Sequence, residues 1–337
     1  MNSRSSKVKP IARAACARRS TFTLLSLSLS LWIIICPTSV AQPVEVPPDL
    51  VELTPEDIRE SLIAFVNLST TPGLDGAVFS VDDPGRTSDL VRGSLGYASD
   101  LTLKDYVLDA YWGLAIAYGE LEDQIDVLSP QSRPIRLDVN RDIISLRSSF
   151  GLSLPVSSHL KIRPYLSLAA SRLETSTRIK SLDVVSQLPD AWLDTEADTL
   201  STSGTLETVY DRWFDTDRVE LKGQYTAAYT DTFSRSNSLL DTSGRNETAL
   251  VQARYSKATG WTFRNKPLRW NTYATHTHFL GLDRKALGFN AYTEIGMGLT
   301  YELNIRPLDW FGLRFLGLKA GYIFGDGVEG FSVGLSF

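Results

Sequence analysis

The chain closes on Gly327–Phe337, GVEGFSVGLSF. Phe331, Val333, Leu335 and Phe337 alternate there with Gly330, Ser332, Gly334 and Ser336. A β-strand turns successive side chains to opposite faces, so this segment has one apolar wall and one wall of glycine and serine.

The same period of two runs upstream. In Ala291–Ile305, the side chains of Ala291, Ile295, Met297, Leu299 and Leu303 alternate with Glu294, Gly296, Gly298, Thr300 and Glu302. Ile144, Leu146, Phe150 and Leu152 alternate with Ser145, Arg147, Ser149 and Gly151. Leu160, Ile162, Leu166 and Leu168 alternate with Lys161, Arg163, Tyr165 and Ser167. Leu114, Ile116 and Tyr118, and likewise Leu221, Tyr225 and Tyr229, keep the pattern.

Such runs predict about twelve strands, most of them near the ~9–11 residues that cross a bilayer as tilted β-structure. They fall near 75–82, 88–98, 106–121, 142–154, 158–175, 197–212, 217–233, 246–257, 264–280, 287–304, 312–324 and 328–337. With Phe337 at the periplasmic side, the external connections are Asp83–Arg86, Glu122–Arg141, Ser176–Glu196, Phe233–Arg245, Gly281–Lys285 and Gly325–Asp326. The longest gaps fall in this set, as expected for a barrel with short periplasmic turns. Aromatic pairs near strand ends, namely Trp213 and Phe214, Trp261 and Phe263, Trp310 and Phe311, and Tyr322 and Phe324, fit an interfacial girdle. The fold class is therefore all-β: a transmembrane antiparallel up-and-down barrel.

The N-terminal part is different. Residues 1–41 have the form of a signal peptide: basic residues from Arg4 to Arg19, an apolar Thr23–Ile35, then Ser39-Val40-Ala41 as a cleavage site. Cys36 lacks the small residues before it that lipoprotein processing needs, and Phe22 is out of register for a twin-arginine signal. Residues 42–53 form a linker with Pro43, Pro47 and Pro48. Residues 54–73 read as a short helix and turn. Thr54 is the cap, Pro55 takes the first helical position, and Ile58, Leu62 and Phe65 share a face opposite Arg59 and Glu60. This helix either rests on the protein or lies in or near the lumen. The barrel occupies 74–337.

The chain has two cysteines, Cys16 and Cys36, both in the signal, so the mature protein has neither disulfides nor thiol chemistry. The net charge of −5 argues against nucleic acid as a partner.

Several residues are candidates for function. Arg147, Lys161, Arg163, Lys222 and Arg254 fall on the polar face, as do Arg269 and Lys319, with Glu220, Glu294 and Glu302 among them. Facing a lumen, these charges either tune ion passage or pair across the lumen and close it. The chain holds three histidines. His276 and His278 share a strand face and make a metal pair only if a third ligand converges, and neither Cys, Asp nor Glu lies in that strand. Outer-membrane proteases carry an Asp-x-His pattern where this chain reads Ala274-Thr275-His276, and no serine–histidine constellation resembles the outer-membrane lipid hydrolases. No catalytic residue, metal or cofactor is assigned.

The alternating strand that stops on Phe337 resembles the C-terminal signature of outer-membrane barrels. Within that class, the helix ahead of the first strand, the strand count and the Phe337 ending resemble the solitary autotransporter-type β-barrels, over roughly Pro55–Phe337. That resemblance implies location in the outer membrane, contact with its lipid and lipopolysaccharide, and a structural or transport role. It also implies that the barrel-assembly machinery reads Phe331, Val333, Leu335 and Phe337. Residues 42–53 are too short for a passenger domain. An outer-membrane hydrolase acting on lipid or peptide, and a secreted soluble β-protein, are the alternatives.

Phe337→Ala, or deletion of Phe337, is expected to lower the yield of membrane-inserted, heat-modifiable barrel by more than Phe331→Ala does. Equal yields would remove any special role for the terminus.

Overall fold

In a computed structural model the described residues are 55–70, 76–83, 86–102, 108–128, 134–179, 195–236, 240–263, 266–280, 287–303 and 315–336. The signal peptide, the proline-rich linker, Trp310, Phe311 and Phe337 lie outside them. One helix, α1 (Pro55–Thr70), precedes β1 (Gly76–Asp83), β2 (Arg86–Thr102), β3 (Asp109–Leu128), β4 (Pro134–Pro155) and β5 (Leu160–Ile179). There follow β6 (Thr195–Phe214), β7 (Asp217–Arg235), β8 (Ser243–Phe263), β9 (Lys266–Phe279), β10 (Ala291–Glu302), β11 (Phe315–Gly325) and β12 (Val328–Ser336).

Each strand pairs antiparallel with its sequence neighbours, and β1 pairs with β12, so the sheet closes. Closure leaves no edge strand, so the ladder donors and acceptors find partners in the wall apart from irregularities near Asp198 and between Ala258 and Thr262. The twelve predicted strands are the twelve observed.

Their outward faces are apolar and uncovered. Leu166, Met297 and Phe331 are 71%, 68% and 67% exposed, and Leu114, Ile116, Leu146, Phe150 and Val251 lie in the same band. An apolar girdle of this extent is incompatible with water and fits hydrocarbon. At its outer margin Tyr118 donates to Asp142 (2.8 Å), Tyr225 to Glu247 and Tyr322 to Glu329. A ring in lipid with its hydroxyl held by a wet carboxylate marks an interface.

The structure corrects the hairpin expected as a loop at Glu122–Arg141. β3 continues to Leu128 and β4 begins at Pro134, with Asp123 opposite Val139. The strands go on where the outward face changes from apolar to Glu122 and Gln124, because a ladder above the bilayer needs no lipid-facing residues. The gap between β3 and β4 is therefore shorter than expected, and Glu302 of β10 and Phe315 of β11 meet at the β12 terminus end. The tight turn at 215–216 and the bend at 156–159 share that end, which is periplasmic by the short-turn rule.

The helix settles in the lumen rather than on the surface. Leu62, Phe65, Val66 and Leu68 are buried, and so are Ser61, Asn67 and Ser69 on its other sides. α1 packs against β3 and β4, and also against β8 across the barrel. Thr230 hydrogen-bonds Asn67 from β7. A helix is buried on every face only when a wall surrounds it. In the same buried cluster, Phe79, Phe279 and Tyr292 pack edge to face at 5.9–6.2 Å around Phe289, near the external ends of their strands.

Room for the helix and for inward aromatics comes from small side chains. Ser145–Ser171, Ser149–Ser167, Ser201–Thr230 and Thr205–Thr226 are directly opposed pairs whose hydroxyls bond across the strands at 2.7–3.0 Å. At Gly151, opposite Tyr165, a Cβ would lie 2.6 Å from the Tyr165 Cα. Without it, Tyr111 from β3 and Tyr165 from β5 meet over β4 with centroids 4.8 Å apart.

Gly151→Val should destabilise the barrel by about 1–3 kcal/mol through overpacking. Its unfolding midpoint in guanidinium, followed by gel mobility, should fall below wild type, and an unchanged midpoint would show that the wall absorbs the methyl groups.

Candidate functional site

The interior of the periplasmic half is charged. Asp100 near the end of β2 and Arg163 on β5 are separated by β3 and β4, yet the Arg163 guanidinium reaches the Asp100 carboxylate at 2.7 Å. Tyr111 lies beneath it, with its ring centroid 5.6 Å from the Arg163 Cζ. Gly151 and Gly113, without side chains, leave the path clear. The bridge thus spans the inner face of the wall over β3 and β4, a quarter of the twelve-stranded circuit.

It continues on both sides. Lys161 also contacts Asp100, at 3.2 Å. Arg163 reaches Glu207 at 2.9 Å, and Glu207 takes Lys222 at 2.9 Å. On β7, Arg218 holds Asp211 (2.8 Å) and Glu220 (3.1 Å), and Glu220 lies 3.7 Å from Arg254. Glu207 is almost wholly buried, which is tolerable for a carboxylate only because cations flank it.

These groups surround a cavity of about 550 Å³ at the periplasmic mouth, lined by Lys161, Arg163, Glu207, Glu220, Lys222 and Arg254 among others. A second cavity, of about 280 Å³, lies deeper. Arg147, Tyr111 and Tyr165 line it, and Ser69 of the helix reaches it.

The other candidate lumen residues are scattered. Glu294 on β10 accepts hydrogen bonds from Tyr273 on β9 (2.7 Å) and from Ser332 on β12. Lys319 sits 5.6 Å from the Tyr273 ring centre. Arg269 donates to Ser256 (3.1 Å) and to the Thr216 carbonyl (2.6 Å). Glu302 ends β10 opposite Phe315. So Lys161, Arg163, Glu220, Lys222 and Arg254 come together, Arg147 lines the deeper cavity beside Glu207 and Lys222, Arg269 shares Trp213 with Arg218, and Glu294, Glu302 and Lys319 sit on β10 and β11.

Sequence reasoning passed over Asp100, Glu207, Asp211 and Arg218. Glu207 was findable, since it shares the inward parity of Thr205 within its predicted strand. Asp100 was not, because the expected strand stopped at 98. Trp213 moves from the expected girdle into the vestibule, where Arg269 and Arg218 lie 4.7 and 5.5 Å from its ring centre. A tryptophan under guanidinium groups gains cation–π attraction that lipid cannot offer. Trp261 and Phe263 stay on the outer surface.

Phe331, Val333 and Leu335 face outward. His276 and His278 stack on the outer face of β9, 6.5 Å apart, and His276 Nδ1 lies 3.0 Å from Thr293 Oγ1. Among the described residues no group of three potential metal ligands forms.

No family model and no curated protein sequence matches this chain. Solved structures are similar to it. The transport unit of the autotransporter AIDA-I from Escherichia coli is 10% identical, with a TM-score of 0.50 over 85% of this chain and 100% of that one. The β-domain of the Bordetella autotransporter BrkA is 12% identical, with a TM-score of 0.48 over 78% and 96%. The translocator domain of NalP from Neisseria meningitidis is 13% identical, with a TM-score of 0.48 over 81% and 91%. The likeness to AIDA-I is one of fold. This chain shares that fold, a closed twelve-stranded antiparallel β-barrel, here with an apolar outward band that fits hydrocarbon.

Arg163→Met removes one cation from Asp100 and one from Glu207. It should cost about 1–3 kcal/mol, the range for leaving buried polar groups short of partners. In a double-mutant cycle, Asp100→Asn should cost less in the Arg163→Met background than alone, and additive losses would mean that the Asp100–Arg163 pair contributes no coupling.

Proposed function

We propose that this protein is a translocator-like transport barrel held shut by its own N-terminal helix and by a charged bridge below it. The observation that carries the reading is the burial of residues 61–69 of α1 on every face, inside the wall, with the Asp100–Arg163 bridge on the inner face toward the periplasmic mouth. A barrel needed only as a membrane anchor has no use for a lumen lined by paired charges. Arg147, Lys161, Arg163, Glu220, Lys222 and Arg254, with Arg269, Glu294, Glu302 and Lys319 elsewhere in the lumen, are the residues that a passing solute would meet. Transport then requires α1 to shift and the bridge to open.

Insertion is proposed to depend on the barrel-assembly machinery reading Phe331, Val333, Leu335 and Phe337, after cleavage of a signal peptide at Ala41. The outward band supports direct contact with outer-membrane lipid, and the Tyr–carboxylate margin supports contact with lipopolysaccharide head groups. The fold likeness to translocator barrels supports a transport role over a hydrolytic one.

Planar-bilayer recording tests the plug. Wild-type protein should show small or rare conductance steps, and deletion of 55–70 should raise single-channel conductance severalfold. A second variant, Phe65→Ala, keeps the helix but removes its most buried ring, a loss typically worth about 3–5 kcal/mol; it should raise the frequency of openings. Identical recordings from all three proteins would refute the plug.

A further inference from the structure

The vestibule has unspent capacity for an anion. Three carboxylates, Asp100, Glu207 and Glu220, are shared among five cations, Lys161, Arg163, Lys222, Arg218 and Arg254. Asp211 adds a fourth acid through Arg218. At two pairs the acid also lies behind the cation, whereas Asp211 is more exposed than Arg218. The Glu207 side chain is 4% exposed against 27% for Lys222, and Asp100 is 13% exposed against 42% for Lys161. The cavity lining holds five cations, Lys161, Arg163, Arg218, Lys222 and Arg254, against three acids, Glu207, Asp211 and Glu220, in a chain whose net charge is −5.

Arg254 is the least satisfied of these groups. Its ion pair with Glu220, at 3.7 Å, is too long for a hydrogen bond, and its buried Nε has no partner. Arg254 lies directly opposite Glu220 on the β7–β8 ladder, and Lys222 lies opposite Gln252. Lys222 and Arg254 are thus diagonal neighbours on the inner face, a spacing of about 7–8 Å between backbones. Both line the cavity of about 550 Å³, a volume typical of small-ligand sites.

We infer that this vestibule binds a small oxyanion, phosphate or a phosphate monoester, between the Arg254 guanidinium and the Lys222 ammonium. The planar guanidinium offers two parallel N–H donors that match two oxygens of one phosphate, and Lys222 supplies a point charge to a third. A spherical halide uses only the charge. The barrel wall separates the cavity from the bilayer, so the source is a soluble periplasmic solute and not a lipid head group. Binding requires only the folded vestibule, so it stands or falls separately from the movement of α1.

Isothermal titration of the folded protein in detergent micelles with inorganic phosphate, at constant ionic strength, tests this. The expected result is saturable 1:1 heat that sodium chloride does not reproduce. Arg254→Gln and Lys222→Gln should each weaken phosphate binding by about tenfold or more, the effect of losing a charge-assisted contact. Arg254→Lys should also weaken it, because the fork is lost while the charge remains. Arg172→Gln, on the outer surface, should leave it unchanged. Gel mobility before and after heating verifies each fold, and if Arg254→Gln does not fold, Lys222→Gln decides. Adding phosphatidylglycerol to the micelles should not shift the isotherm, and competition would instead identify a lipid head group as the ligand. Non-saturating heat, or wild-type affinity in the Arg254 and Lys222 variants, would overturn the site.

Discussion

A strand inside a bilayer has no water to satisfy its backbone, so every N–H and C=O must find a partner in the protein. The pairing of Ala77–Val81 on β1 with Val328–Ser332 on β12 completes that requirement by joining the ends of the sheet. Once the sheet is closed, each side chain has only two destinations, lipid or lumen. The outward Leu166 and the inward Ser167 are adjacent in sequence and live in different solvents.

The lumen then has to be filled or wetted, and this chain does both in order along its length. At the external end Phe79, Phe279 and Phe289 pack with α1 into a dry core. In the middle, opposed hydroxyls such as Ser149 and Ser167 satisfy one another and leave space for the helix. Toward the periplasm, the Asp100–Arg163 bridge stands over Tyr111 and gives way to a wet, cation-lined mouth. Apolar burial stabilises the plug in one half. In the other, charge pairing offsets the cost of dehydrating groups such as Glu207. The closed state proposed above is held partly by contacts that water and solute can compete for.

How far the sequence could be read follows from the range of each interaction. The alternation in Ala291–Glu302 and Phe331–Leu335 was enough for strand identity and for which side chains share a face, because period two is a property of one strand. The hairpin beyond Glu122 was misread because the reading relied on apolar outward residues, and those are needed only within hydrocarbon. Trp213 was misplaced for a related reason. A tryptophan at a strand end suits an interface, but its odd-numbered neighbours Glu207 and Asp211 face inward, and that parity takes Trp213 with them.

What the sequence determined by itself is the barrel: strand number, direction and the division into an apolar and a polar wall. Each is written in local alternation. Which polar residues meet was decided only by the tertiary structure. Asp100 and Arg163 are 63 positions apart and are separated by two strands, so their contact depends on register, curvature and the gap left by Gly151. The same holds for α1, whose apolar face alone fits either a surface or a lumen. Burial of Ser61, Asn67 and Ser69 requires a wall on every side, and only the closed barrel supplies one.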